Sequence, residues 1–179
     1  MDIVIRPARA EEFEEAGRIT VEAFVGGGFT SPEGPYAQRL RDAATRAAEA
    51  ELLVAVDAAD GTVLGCVTFA VGGTRWSDVA TPEEGEIRML ATAPAARGRG
   101  AGEALVRAAL ARSRELGLAG MAFSTQQEMT TAHRLYERVG FRRAPERDWS
   151  PVPGVDLMVY SLAFRPSSAL SETPSTSLR

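Results

Sequence analysis

The chain reads as a single-domain α/β protein with a mixed, twisted β-sheet flanked by helices, and three observations predict this. Strand-like segments alternate with amphipathic helical segments along most of its 179 residues. Two apolar runs, ELLVAVDA from Glu51 and TVLGCVTFAV from Thr62, are joined through the turn sequence AADG and form an antiparallel hairpin. Further on, a strand beginning near Gly85, a Gly-rich loop, a long helical pattern and the strand AGMAFST at 119–125 follow one another. A unit of that length closes as a right-handed crossover between parallel strands. Antiparallel and parallel pairing in one sheet makes it mixed.

Taken in order, residues 2–6 (DIVIR) form a short strand with Ile3 and Ile5 on one face, ended at Pro7. From Ala10 the period changes to that of a helix. Phe13, Ala16, Thr20, Ala23 and Phe24 make a stripe that packs on the sheet, Glu11, Glu12 and Glu15 suit the positive end, and Gly26, Gly27 and Gly28 stop it. The segment VGGGFTSPEGPY at 25–36 is too rich in Gly and Pro for regular structure, and one helix is expected from about Pro35 to Ala50. Cys66 lies inside the second hairpin strand and reads as a small buried hydrophobe. After a loop at 72–83 comes the central strand, Gly85 to Ala93, and then a helix from Ala101 to Leu116 with Leu105, Ala109 and Leu116 as its apolar stripe, Glu103 and Arg107 as an i,i+4 pair, and Gly117 past its end. In MTTAHRLYERVGF, residues 129–141, Ala132, Leu135, Tyr136 and Val139 share one helical face. Gly140 ends that helix, and His133, on its polar side, is expected at the surface. FRRAP, a loop ERDWSPVPGVD and LMVYSLAF give a C-terminal hairpin. The domain is expected over 1–164, with a disordered Ser/Thr/Pro-rich tail at 165–179.

Composition narrows the function. A hydrophobic fraction of 45% supports a packed core, and no apolar run approaches the roughly 20 residues of a membrane span, so a soluble protein without a membrane partner is expected. The N-terminus lacks a basic region followed by a long apolar stretch, and one cysteine makes no internal disulfide, which predicts a cytoplasmic location. A net charge of −4 argues against a nucleic-acid partner. All 20 cationic residues are Arg, which removes lysine Schiff-base chemistry. A single His133 and a single Cys66 leave no zinc cluster and no Ser-His or Cys-His triad, so no metal is expected.

The stretch EIRMLATAPAARGRGAG, Glu86 to Gly102, carries the chemistry. Gly98, Gly100 and Gly102 allow tight or left-handed backbone and remove the Cβ atoms that would hold a ligand away. The loop opens into a helix, whose first N–H groups and positive dipole end suit a phosphate, with Arg97 and Arg99 as cationic donors. A dinucleotide fingerprint would need Gly where Glu103 stands, and a P-loop would need Gly-Lys-Ser/Thr.

What remains, Arg-x-x-Gly-x-Gly after a strand that begins with Glu and contains Leu90, Thr92 and then Pro94, resembles the acyl-CoA signature of the GCN5-related N-acetyltransferase (GNAT) family. A second match lies in the 129–141 helix, where Ala132, Leu135, Tyr136, Gly140 and Phe141 fit the family's Asn-x-x-Ala-x-x-Leu-Tyr-x-x-x-Gly-Phe pattern, with Met129 in place of the Asn. The resemblance spans about residues 2–164 and implies a GNAT-like fold with splayed central strands. It implies acetyl-CoA as acyl donor, with its pyrophosphate on Arg97, Gly98, Arg99, Gly100, Ala101 and Gly102 and its pantetheine along Leu90, Ala91 and Thr92. By the same resemblance Glu86 is the general base, Tyr136 the acid for the departing thiolate, and the 25–36 loop part of the acceptor site. The implied reaction is direct transfer of the acetyl group to a primary amine of a small molecule or peptide. A covalent acyl-enzyme is disfavoured because Cys66 is the one thiol. The alternatives are another acyl-CoA, a non-amine acceptor, or a silent acyl-CoA-binding or regulatory domain, and a homodimer stays open. Glu33, Glu83, Glu84 and Asp148, with Trp149 nearby, hint at a cationic acceptor.

Overall fold

The computed structural model describes residues 2–165. Eight strands form one sheet in the order β1-β2-β3-β4-β5-β8-β6, with β7 paired to β8. β1 (Ile3–Pro7), β2 (Glu51–Asp57), β3 (Val63–Val71) and β4 (Glu84–Thr92) are antiparallel neighbours. β4 then runs parallel to β5 (Gly120–Gln126), after the crossover helix α4 (Ala101–Glu115). β8 (Val155–Ala163) is antiparallel to β5, β6 (Arg142–Arg143) and β7 (Trp149–Val152). This is the mixed sheet expected from the hairpin and the crossover.

Helices cover both faces. On one, Leu105, Val106, Ala109 and Leu110 of α4 meet Val67, Phe69, Ile87, Met121 and Phe123, and α5 (Thr130–Val139) adds Tyr136, Ala132, Leu135 and Val139. On the other, Ala16 and Ile19 of α1 (Phe13–Gly26) pack with Leu52, Val54, Val56, Cys66 and Ala91. Cys66 is fully buried, as its place in the strand predicted, and burial pushes its thiol up, away from the reactive thiolate.

Four details differ from the sequence reading. The single helix expected over 35–50 is two, α2 (Pro35–Arg41) and α3 (Ala43–Glu49). Asp42 breaks it, because its carboxylate accepts the Thr45 N–H at 3.1 Å and so competes with helix continuation. Leu116 is 41% exposed, since it occupies the C-cap beyond Ser113, the last buried residue of α4. The loop expected at 146–156 contains β7, which pairs with β8 across the turn at Pro153 and Gly154, where Gly154 supplies a φ of 86°. His133 is buried, and its Nε2 lies 3.0 Å from the Gln126 carbonyl, tying α5 to the end of β5. The expected tail falls outside the described residues except for Arg165. Among the described residues no helix is long and apolar enough to cross a membrane.

Candidate active site

Two neighbouring strands that fail to stay paired create the site. β4 and β5 keep their parallel ladder only at Glu84–Gly120, Gly85–Met121 and Glu86–Ala122, while β5 continues against β8 as far as Gln126. The cause lies on β4's other side. Its register with β3 slips between Thr68↔Arg88 and Cys66↔Ala91, so that Met89 and Leu90 share one partner position. Met89 takes a φ of 56°, the one non-glycine positive φ among the described residues. Such a bulge bends its strand and raises local twist, here where β4 leaves β5. It also concentrates backbone strain at the gap, on a side chain packed with Leu40, Ala70 and Trp76. From Ile87 onward the edge of β4 facing β5 carries no ladder and is free to pair with an extended ligand.

A cleft of about 770 Å³ runs along this edge to the start of α4, lined by Leu90, Ala91, Thr92, Arg97, Gly98, Gly100, Ala101 and Gly102. Gly98 and Gly100 have φ values of 75° and 86°, and a Cβ built on either meets nothing within 4 Å, so the space above them is open. No side chain caps α4. Its first N–H groups therefore point into the cleft as donors for an anion. Gly102 differs. It has no left-handed φ, and its Cβ would make ordinary contacts at 3.6 Å with Leu135 and Thr92, so it provides packing room between α4, β4 and α5. The Arg99 guanidinium is not in the cleft, because it pairs with Asp57 at 3.1 Å and ties the loop to the end of β2. Arg97 lines the cleft, and the facing wall is α5, which adds Arg134 and Arg138. Those two cations were not picked out in the sequence, although their spacing of four residues puts them on one face.

A second cavity of about 490 Å³ opens through the same gap on the sheet's far side. Leu90, Met129, Ala132, Phe24 and Phe29 line both spaces, so the two meet there. Met129, at the position of the family's Asn, forms part of that junction, its sulfur 3.4 Å from the Thr125 hydroxyl. The loop after α1 roofs the gap, with the Phe29 carbonyl accepting from Gln126 Nε2 at 3.2 Å. Phe24, Phe29, Thr30 and Tyr36 from this loop and its flanking helices line the cavity.

Tyr136 lines this cavity and is 6% exposed, its ring 4.1 Å from that of Phe123. Burial alone raises its phenol well above the ordinary tyrosine range. The hydroxyl is therefore protonated at any physiological pH. Glu86 lines neither space. It is 1% exposed rather than solvated, and its Oε2 accepts three consecutive backbone N–H groups, from Asp78, Val79 and Ala80, at 2.9, 3.0 and 3.0 Å. Burial pushes this carboxyl up, the three donors pull it back, and the nearby Asp78 carboxylate adds to the rise. The same loop is clamped from outside by Arg147, which donates to the Val79 carbonyl and pairs with Glu84 at 2.7 Å.

Of the residues that hinted at a cationic acceptor, only Trp149 lines the cavity. Glu84 is engaged by Arg147 and Asp148 by Arg143, each at 2.7 Å, and Glu33 and Glu83 lie outside the lining. The charged residues that do line it are Arg39, Asp78 and Arg88.

An open strand edge leading to an uncapped helix start suits an extended ligand that ends in a phosphate group. Comparison with known proteins agrees. The acetyltransferase (GNAT) family model matches residues 14–141. A mycothiol acetyltransferase from Nocardia farcinica is 36% identical over 121 residues, 63% of this chain and 37% of that protein, so the chain spans little more than a third of this relative's length. Among solved structures, a GNAT family acetyltransferase from Brucella melitensis in complex with acetyl-CoA is 27% identical with a TM-score of 0.61, covering 94% of this chain and 92% of that one. A GCN5-related N-acetyltransferase from Kribbella flavida is 25% identical with a TM-score of 0.67, covering 90% and 98%. An acetyltransferase of the GNAT family from Staphylococcus aureus has a TM-score of 0.72 at 13% identity, over 92% of this chain and 100% of that one, a likeness of fold alone. With the family match spanning most of the chain and the splayed β4–β5 pair present, the protein belongs to the GNAT acetyltransferase family.

Proposed function

We propose that the protein transfers the acetyl group of acetyl-CoA to a primary amine within a ternary complex. The observation that supports this reading is the meeting of the two cavities at Leu90, Met129 and Ala132; in this reading an acyl group lying along β4 faces an acceptor held in the second cavity. The fit to acetyl-CoA rests on the open space above Gly98 and Gly100 and on the uncapped start of α4. Ala101 and Gly102 supply N–H groups there, Arg97, Arg134 and Arg138 supply charge, and Leu90, Ala91 and Thr92 offer backbone to an extended arm. In the reaction the thioester C–S bond breaks as a C–N bond forms, the nitrogen loses a proton and the sulfur gains one.

Tyr136 is placed in this reading as the hydrogen-bond donor to the departing sulfur. Its phenol is a weaker acid than an ordinary thiol, which has a pKa of about 8.5. Burial raises the phenol further, so Tyr136 keeps its proton and acts by donating a hydrogen bond to the developing thiolate. Glu86 acts as base through water in this reading. Its Oε2 is taken up by three amides while Oε1 has no hydrogen bond among the described residues, and direct reach into the acceptor cavity is missing. The three amides also make Glu86 the anchor of the loop that presents Asp78.

The test is thiol release from acetyl-CoA with a panel of primary amines, with the acetylated product identified by mass. Amine-dependent release with formation of the N-acetyl product is expected. Tight acetyl-CoA binding with no release for any amine would instead make this a silent acyl-CoA-binding domain.

A further inference from the structure

The acceptor cavity has a charged end and an apolar wall, and its charge is opposite to the one the sequence hinted at. Arg39, Arg88 and Asp78 are its charged lining residues, two cations against one anion. Asp78 is already paired with Arg88 at 3.1 Å, and the Arg88 side chain is only 12% exposed. Arg39 has no ion pair among the described residues. Both guanidiniums are held by one aromatic ring. Their Cζ atoms lie 5.4 and 5.9 Å from the centroid of Trp76, which is itself buried and fixed by donation from its Nε1 to Glu49 at 2.8 Å. Arg88 is further set by donating to the Trp76 carbonyl at 3.3 Å.

The carboxylates around this end are committed elsewhere. Glu49 serves Trp76 and Arg75, and Glu86 serves the backbone of 78–80. Tyr36 lies among the cavity's charges, with Arg88, Arg39 and Asp78 all acting on its phenol. Two like charges drawn to one ring, with one counter-charge paired to Arg88, leave a net positive pocket that a single anionic group would complete. Phe24, Phe29, Phe123, Trp149, Val152 and Leu157 give the cavity an apolar and aromatic wall, beside uncharged polar residues that include Ser124, Thr125 and Gln126. Trp149 adds one polar group, an indole Nε1 that is buried and has no hydrogen-bond partner among the described residues.

Resting on the reading of the chain as an amine acetyltransferase, we infer that its acceptor is a small primary amine that also carries a carboxylate, held with that anion between Arg39 and Arg88 and with an apolar or aromatic body on the Phe24, Phe29, Phe123 and Trp149 wall. The volume, near the small end of the roughly 300–1,000 Å³ found for small-molecule sites, suits a free amino acid or its analogue. A peptide N-terminus has an amide where this pocket asks for an anion.

Phenylalanine, phenylalaninamide and phenethylamine separate these features, the last two keeping the amine and the ring without the carboxylate. Thiol release and product mass give turnover, and calorimetry on the protein saturated with CoA gives binding independently of turnover. The acid should exceed the amide in kcat/KM by about tenfold or more, the worth of a charge-assisted hydrogen bond. R39Q, at an exposed helix position, should collapse that ratio toward one with an unchanged circular dichroism spectrum. Turnover of the amide or of phenethylamine as good as that of phenylalanine would overturn the inference and leave the acetyltransferase reading standing. Carboxylate-dependent binding without turnover would do the reverse. Neither binding nor turnover of phenylalanine would overturn the inference for this class of acceptor.

Discussion

At the scale of single residues, two side chains answer different questions. Tyr136→Phe removes one oxygen and keeps the ring that packs on Phe123 and Phe141. Among the described residues no side chain or backbone group hydrogen-bonds the hydroxyl, so stability should change by less than about 0.5 kcal/mol. The chemical step should slow on the order of 10²-fold with acetyl-CoA affinity retained, read by rapid-quench single turnover. A wild-type rate would remove Tyr136 from the mechanism. Glu86→Gln keeps an oxygen to accept the three amides and removes the ionisable proton site. Because burial lifts the Glu86 carboxyl, a base in this position loses activity as pH falls through a pKa above the ordinary carboxylate range. The acidic limb of kcat/KM should therefore sit above pH ~4.3 in the wild type and disappear in the variant. A limb unchanged by the substitution would leave Glu86 as the loop's anchor alone.

At the scale of an element, the start of α4 is where substitutions test whether backbone conformation governs acetyl-CoA binding. Gly100 sits at a φ of 86° with open space around it, so a valine there clashes with no neighbour and its cost is the conformation itself. That cost is about 1–3 kcal/mol for a residue forced into the left-handed region. Gly100→Val should lower the unfolding free energy by about that amount and weaken acetyl-CoA binding more than tenfold, both measurable by denaturant titration and calorimetry. Gly102→Ala is the informative contrast, because Gly102 has ordinary helical geometry and room for the methyl group. It should hold or gain up to about 1 kcal/mol of stability. Equal affinity in Gly100→Val and wild type would move the phosphate site away from this loop.

Across the whole molecule, several ion pairs tie loops and element ends to the sheet. Asp148 sits with Arg143, whose guanidinium keeps its carboxyl below the usual range, and also accepts the Val159 N–H at 2.8 Å. Glu12 is held low in the same way by Arg6. For such groups the folded pKa lies below the unfolded one, so their stabilisation is present above the unfolded value, near 4, and is lost as pH falls through the folded value. Thermal midpoints should accordingly drop on acidification below about pH 4, and Asp148→Asn should flatten that dependence while keeping an oxygen for Val159. Parallel midpoint curves for the two proteins would show that the pair adds nothing. The buried Glu86 carboxyl acts with the opposite sign, favouring the fold when it is protonated.

The sequence by itself determined the elements whose information is local. The hairpin at 51–71, the crossover through α4 and the helix at 130–139 were legible because period, turn residues and glycine stops are properties of a few neighbouring residues. The glycine loop before α4 was legible for the same reason: Gly98 and Gly100 take left-handed backbone, and the helix they open starts at Ala101. Other features depend on which partner a residue meets, and these only the tertiary structure decided. Asp42 splits a helix by capping it, and His133, polar by its helical position, is buried because β5 offers it a carbonyl. Arg99 turns to Asp57 across 42 residues of chain, while Arg39, Trp76 and Arg88 gather from a helix, a loop and a strand. The gap between β4 and β5 depends on a register slip against β3, a relation between strands that no single segment encodes. Local sequence thus specified the glycine-opened loop at the start of α4, whereas the grouping of Arg39, Trp76 and Arg88 in the second cavity is set by long-range packing of side chains that are distant in sequence.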